Sequence, residues 1–320
     1  MKSDHEPETS PARSVVVCCY TEARWDRLVA AAASAASQLA QGDELLVVVD
    51  HNETLRERAA TAFFDTARVV ANRFEPGLSG ARNTGVEEAK GAIAVFLDDD
   101  AAAAEGWLDR LCAPFADPSV VGVGGRAVPD WVAGQAPWWM PEEFLWVVGC
   151  SYRGLPTHTA PVRNPIGCNM AFRIDAIRTV GGFSAELGRV KERPVGGEET
   201  DLAIRVTAAT GGAVIYVPDA SVAHAVEAPR TKLRYFARRC RAEGSSKAIL
   251  ARRVGAGRAT AAERSYLRTL ASGVAGRFAT AIRERSLRPL GQAVMIVIGL
   301  SLTTFGFVTG RLAAAIRTTA

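Results

Sequence analysis

Continuous apolar runs separated by helix-length segments organise this chain. Ser14-Val15-Val16-Val17-Cys18-Cys19, Leu45-Leu46-Val47-Val48-Val49 and Ala92-Ile93-Ala94-Val95-Phe96-Leu97 lack the alternation of half-exposed strands. They predict strands buried on both faces, as in a parallel sheet covered by helices. Between them, Trp25 to Gln38 (closed by Gly42) and Thr54 to Phe64 have helical spacing, and Ala67 to Ala71 reads as a short strand. Strand, helix, strand, helix, strand is the order of an α/β sheet with crossover helices. Ser79 can cap a further helix that Gly91 ends. Val120 to Arg126, Asn164 to Phe172 and Val214 to Val217 predict later strands.

Polar residues sit where the early strands end: Tyr20-Thr21-Glu22, then Asp50-His51-Asn52, then Asp98-Asp99-Asp100. The carboxyl ends of strands are where open α/β sheets collect ligands. Adjacent carboxylates repel unless a cation or solvent compensates them, and Mg²⁺ or Mn²⁺ prefers hard oxygen ligands. The alternative is an acidic turn capping a helix over Ala101 to Ala104, a good helix-forming stretch. Arg82 and Asn83 fall in the first turn of the helix after Ser79, where a cation opposes the helix dipole; they predict a nearby anion such as a diphosphate. A second acidic cluster, Gly197-Glu198-Glu199-Thr200-Asp201, follows a polar, glycine-bounded stretch from Ser184 that reads as a mobile lid.

Charge and composition narrow the class. The 320 residues carry a net charge of +4, too mild an excess to argue for nucleic acid. Six cysteines show neither a CxxC pair nor metal-finger spacing and read as reduced thiols. Residues 1–13 are polar, read as a disordered tail, and lack the apolar core of an export signal. At the other end, Leu290 to Gly310 is almost uncharged and about as long as a membrane-spanning helix. Arg283, Arg285 and Arg288 precede it, which favours a cytoplasmic body attached to the membrane; a buried or dimer-forming helix is the alternative. Arg230 to Arg241 packs six basic residues around Tyr235 and Phe236, the composition of a membrane-surface or phosphate-facing helix. Trp131, Trp138 and Trp139 suit sugar stacking, a lipid interface or the core.

In order along the chain stand Tyr20-Thr21-Glu22, Asp50-His51-Asn52, Gly80-Ala81-Arg82-Asn83-Thr84-Gly85, Leu97-Asp98-Asp99-Asp100, Gly181-Gly182-Phe183 and Gly197-Glu198-Glu199-Thr200-Asp201-Leu202. On this ordered set the chain resembles the family 2 glycosyltransferases of the GT-A fold over about residues 14 to 230. Within that family it most resembles archaeal and actinobacterial glucosyl-dolichyl phosphate glucuronosyltransferase-like members, a similarity that extends into Arg234-Tyr235-Phe236 and Glu243-Gly244-Ser245-Ser246-Lys247-Ala248.

The resemblance implies a GT-A domain over 14–230 with a central, mostly parallel sheet covered by helices. A basic helical extension over 231–288 and a membrane-associated segment over 289–311 would follow. Tyr20, Thr21, Glu22, Asp50, Arg82, Asp98 and Asp99 would bind a nucleotide sugar, with UDP-sugars expected. Asp98 and Asp100 would hold Mg²⁺ or Mn²⁺, with His224, after a late strand, as a further ligand. Gly167, Cys168 and Asn169 would lie beneath the donor sugar. The second residue of Glu198-Glu199 is the expected general base; family members usually carry Asp there, so Glu199 is longer by a methylene, and Glu198 and Asp201 stay open for the role. A carboxylate in reach of an acceptor hydroxyl takes its proton, and attack opposite the departing diphosphate inverts the anomeric centre. The acceptor would be a glycan or a polyprenyl-phosphate-linked sugar, met at the cytoplasmic face of the membrane. A nucleotidyltransferase would want a glycine- and lysine-rich loop after the first strand, which Tyr20-Thr21-Glu22-Ala23-Arg24 does not supply. A non-catalytic sugar-nucleotide-binding scaffold is the other alternative.

Overall fold

A computed structural model describes residues 11–187, 196–255 and 263–318. The N-terminal half is the expected alternation. Strands β1 (Arg13–Cys19), β2 (Glu44–Val49), β3 (Arg68–Ala71) and β4 (Ile93–Asp98) pair in parallel, in the order β3-β2-β1-β4. Helices α1 (Trp25–Ala36), α2 (Glu53–Ala62) and α3 (Leu78–Glu88) make the crossovers. One apolar cluster gathers α1, α2 and one face of the sheet; a second packs α3 and later helices on the other. This double cover is why β1, β2 and β4 read as unbroken apolar runs. The body begins one residue earlier than expected: Arg13 belongs to β1 and is paired with Asp43 and Asp109.

Beyond β4 the sheet is more mixed than the sequence suggests. After the three-residue β5 (Ala101–Ala103) come α4 (Trp107–Cys112), β6 (Val120–Trp131), β7 (Ala160–Val162), β8 (Asn169–Arg173), α5 (Ile174–Thr179), α6 (Glu198–Thr210) and β9 (Ala213–Val226). Strand β8 runs antiparallel to both β4 and β6, β6 is parallel to β9, and β5 and β7 are antiparallel to β9. The alanine run after Asp100 is therefore strand, not helix: it registers Ala101 on His224 and Ala103 on Val222.

Helix α3 departs from expectation at both ends. Gly77 (φ 131°) precedes it, Ser79 lies inside its first turn and donates to the Leu187 carbonyl (2.7 Å), and it stops at Glu88, before Gly91. The tail of the chain folds back as α7 (Leu233–Val254), α8 (Glu263–Glu284) and α9 (Arg288–Thr318). These are not a detached extension. Phe236 and Cys240 of α7, Leu270 of α8 and Ile296 of α9 share a third apolar cluster with Phe144 and Val147. Trp131 and Trp139 pack on that cluster, whereas Trp138 is exposed.

Candidate active site

Parallel pairing places three strand tips on one edge. Cys18 registers with Asp98, and Cys19 with Val49, so Tyr20 and Asp50 continue past the level of Asp98. Asp50 accepts from Asn72 Nδ2 (2.7 Å) and the Gly77 N–H (2.9 Å), which fixes the carboxylate between β2, β3 and the start of α3. Tyr20 is half exposed, and Thr21 Oγ1 accepts the Ala23 N–H (3.3 Å) to open a short turn over Glu22–Arg24. That turn carries Arg24 onto the acidic triplet, 2.8 Å from Asp99 Oδ1 and 3.2 Å from Asp100 Oδ2.

The register of β5 on β9 explains why residues 98, 100 and 224 meet. His224 Nε2 lies 3.2 Å from Asp100 Oδ1, and ligand atoms of Asp98, Asp100 and His224 all lie within 4.8 Å of one another. Two carboxylates and an imidazole are a donor set suited to Mg²⁺ or Mn²⁺. Arg230 Nη2 adds a contact to Asp100 Oδ2 at 3.3 Å. Burial alone would raise the Asp100 carboxyl, but His224, Arg24 and Arg230 outweigh it and hold the group well below the ordinary carboxylate range. Asp99 goes the other way. Burial pushes it up to about 7 against the pull of Arg24, with Asp100 and Asp98 adding to the rise, and its Oδ2 has no hydrogen-bond partner among the described residues.

Opposite this group, Gly197 (φ 96°) turns the chain into α6, and Glu198 and Glu199 fill the helix's first turn. Arg82, only 1% exposed, joins the two acidic sites. Its Nη1 donates to Glu198 Oε1 (3.0 Å), and its Nη2 to Asp98 Oδ1 (3.2 Å) and the Gly167 carbonyl (2.9 Å), while Phe96 and Phe183 flank the guanidinium. The anions that Arg82 meets are thus the protein's own carboxylates. Glu198 is buried and spends one oxygen on Arg82. The pair's other member differs: Glu199 is half-buried, receives a long contact from Thr200 Oγ1 (3.4 Å), and is pushed up to about 8 by burial and the neighbouring Glu198 charge. Asp201 is fully buried and tied to Arg205 and Arg253, which makes it a structural carboxylate.

A cavity of about 450 Å³ collects Arg82, Asp98, Glu198, Glu199 and His224. Gly167 and Cys168 also line it, but Asn169 is wholly buried in the sheet, bonded to Trp107 Nε1 and to the Arg126 and Ala220 carbonyls. Tyr20, Thr21, Glu22, Asp50, Asp99 and Asp100 stand outside its wall, on or beside the strand tips. The cavity continues under the C-terminal helices, where Arg239, Lys247 and Tyr266 line it with Leu267, Leu270 and Leu300. Arg24 and Arg230 were not expected at the acidic triplet. Arg24 follows the first tip by only two residues; Arg230 belongs to the basic segment, which sends this member and Arg239 inward. Of the expected lid, residues 188–195 lie outside the described residues.

Comparison with known proteins places this site in context. A glucosyl-dolichyl phosphate glucuronosyltransferase of Haloferax volcanii is 34% identical over 303 residues, 93% of this chain and 96% of that protein. The mannosyltransferase PcManGT of Pyrobaculum calidifontis, solved with GDP-Man and Mn²⁺, superposes with a TM-score of 0.58 at 18% identity over 95% of this chain and 88% of that one. GalNAc-T7, solved with UDP, GalNAc and Mn²⁺, gives a TM-score of 0.54 at 18% identity, covering 74% of this chain and 48% of that one. The fold is that of the GT-A glycosyltransferases. Residues 14–181 match the profile of glycosyl transferase family 2, and with a relative of such identity over nearly its whole length, the chain belongs to that family.

Proposed function

We propose that the protein is an inverting glycosyltransferase that moves a sugar from a nucleotide diphosphate, a UDP-sugar in the first instance, to a hydroxyl of a lipid-linked glycan. One observation carries the reading: Asp98 and His224, which group with Asp100 just behind the wall, line one cavity with the Glu198–Glu199 pair, and Arg82 is the buried strut between the two acidic sites. Asp98, Asp100 and His224 would hold Mg²⁺ or Mn²⁺, which when bound neutralises charge on the departing diphosphate. Tyr20, Thr21, Glu22 and Asp50, at the strand tips, would receive the nucleotide. Glu199, whose carboxylate lacks the guanidinium partner that Glu198 has, would take the proton from the acceptor hydroxyl. Its raised proton affinity suits that task.

A lipid-linked acceptor is supported by the Haloferax volcanii relative, which is named for a dolichyl-phosphate-linked one. Arg239 and Lys247 line the cavity as cations that a phosphate could approach, Lys247 from its pairs with Glu263 and Glu243, and the adjoining leucines give an apolar path. The site would work at the cytoplasmic face of the membrane. The test is nucleotide release from a panel of UDP- and GDP-sugars, with Mn²⁺ or Mg²⁺ and with or without membrane lipid extract. Release that needs both metal and extract is expected. Turnover indifferent to the extract, with water-soluble glycans accepted instead, would overturn the lipid-linked acceptor.

A further inference from the structure

Helix α9 has a length that suggests one arrangement and packing that dictates another. Its apolar part, Arg288–Leu312, is 25 residues, or about 37 Å, enough to cross a hydrocarbon core of about 30 Å. Yet the helix is laid along the body for most of that length. Gly291 abuts Trp138, Gly299 abuts Phe144, Gly306 meets the Arg241 carbonyl and Gly310 meets Ala248; a Cβ at Gly291, Gly299 or Gly306 would collide with its neighbour. From the other side, Gly244 of α7 closes on the Thr303 backbone. Helix α7 carries Arg234, Arg238, Arg241, Glu243, Lys247 and Arg252, and the loop under Gly299 includes Glu143, buried in a bidentate pair with Arg277. To cross a bilayer, α9 would have to leave this seam or drag those charges into hydrocarbon, where they are costly.

Among the described residues the opposite face of α9 is largely uncovered, with Arg241 over the Phe305 ring at its edge. Val294, Val297, Ile298, Phe305, Val308 and Leu312 recur at helical spacing and are 41–60% exposed. Phe278 and Ile282 of α8, Leu287 in the connecting turn and Trp138 extend the exposed apolar surface. Exposed Arg283, Arg285 and Arg288 stand at one end of α9, and Arg311 near the other. An apolar stripe edged by cations fits a bilayer with anionic headgroups. The cavity reaches the same surface: Leu267 of α8 and Leu300 of α9 line it and are 47% and 37% exposed.

We propose that α9 lies flat in one leaflet instead of spanning the membrane, and that the cleft between α8 and α9 at Leu267 and Leu300 is a side door onto the acyl chains. The door's use by an acceptor's prenyl chain rests on the lipid-linked acceptor proposed above; the lie of the helix does not. The full-length protein, spin-labelled singly at Val294→Cys, Ser301→Cys, Val308→Cys or Leu267→Cys, is bound to vesicles containing phosphatidylglycerol, and label depth is read from oxygen and nickel-chelate relaxation. Residues 294 and 308 are about 21 Å apart along the helix, so a spanning α9 gives depths that run through the bilayer centre. The flat helix gives one shared, shallow depth at all three α9 positions, with Leu267→Cys also in contact with acyl chains. A graded profile, or a protein that stays in solution, overturns the flat helix; an aqueous label at 267 overturns the door. No turnover is needed for any of these readings, so they stand apart from the outcome of the acceptor test.

Discussion

Replacing Glu199 by Gln should separate activity from stability in opposite directions. Burial and the adjacent Glu198 charge raise this carboxyl from its ordinary 4.5 to about 8. As the proposed base it would work only when ionised, so at pH 6 about one molecule in a hundred should be competent, and the rate of the chemical step should climb roughly tenfold per pH unit towards pH 8. Removing the base should cost about 10²- to 10⁴-fold in kcat and flatten that limb of the profile. The same shift makes the native carboxylate a liability. A folded-state pKa above the unfolded one means the folded form is favoured while the group is protonated; that advantage is lost as pH rises from 4.5 through about 8. The full shift corresponds to about 5 kcal/mol, and solvent reaching this half-buried side chain reduces it to about 2 kcal/mol. Glu199→Gln should thus match wild type in urea unfolding below pH 4.5 and exceed it by about 2 kcal/mol at pH 8. Single-turnover kinetics and urea titrations across pH 4–9 are the assays. A variant with wild-type rates and the wild-type pH limb would refute the assignment of the base, and a variant no more stable at pH 8 than wild type would refute the electrostatic argument.

Losing the imidazole in His224→Ala should raise the Mn²⁺ concentration for half-maximal turnover by at least roughly tenfold, the effect that losing even a supporting group has at a metal site; a Mn²⁺ titration of nucleotide release checks it. Arg82→Met leaves Glu198 and Asp98 without their shared cation and should cost about 3–5 kcal/mol in urea unfolding, with Arg82→Met plus Glu198→Gln recovering part of the loss. Arg277→Met leaves the wholly buried Glu143 with only the long 3.8 Å contact to Arg153 and should lower stability by up to a similar roughly 3–5 kcal/mol. Limited proteolysis should then cut preferentially in α8 and α9, while the double change of Glu143 and Arg277 to apolar residues restores resistance.

Elements whose burial is uniform were legible in the sequence. The apolar runs of β1, β2 and β4 became the expected parallel strands because a strand covered on both sides has no polar positions to confuse the pattern. The acidic triplet stood out as a candidate site because its strand ended there. What the sequence hid depends on distant partners. Ala101–Ala103 has helix-forming composition, yet pairing with β9 overrides that preference, and only the pairing brings His224 to Asp100. Arg82 signalled a nearby anion, but nothing local says that Glu198, more than a hundred residues away, would be one that it meets. Ser79 looked like a cap because its neighbours gave no hint that Leu187 would claim its hydroxyl. The basic run from Arg230 showed charge without direction; Arg230 and Arg239 face inward, whereas Arg241 lies outside over the Phe305 ring.

The pairing of β5 with the far end of β9 also dictates an order of assembly. A ribosome delivers the acidic triplet early, along with the first four strands, but Glu198, His224 and Arg230 emerge much later. Until then, of the cations described above, a nascent chain can offer Asp98, Asp99 and Asp100 only Arg24 and Arg82, and not His224 or Arg230. Contacts of such long sequence separation form slowly. The candidate site is therefore expected among the last parts of the molecule to close, and a polypeptide that ends before β9 lacks the His224 and Arg230 that its acidic triplet meets.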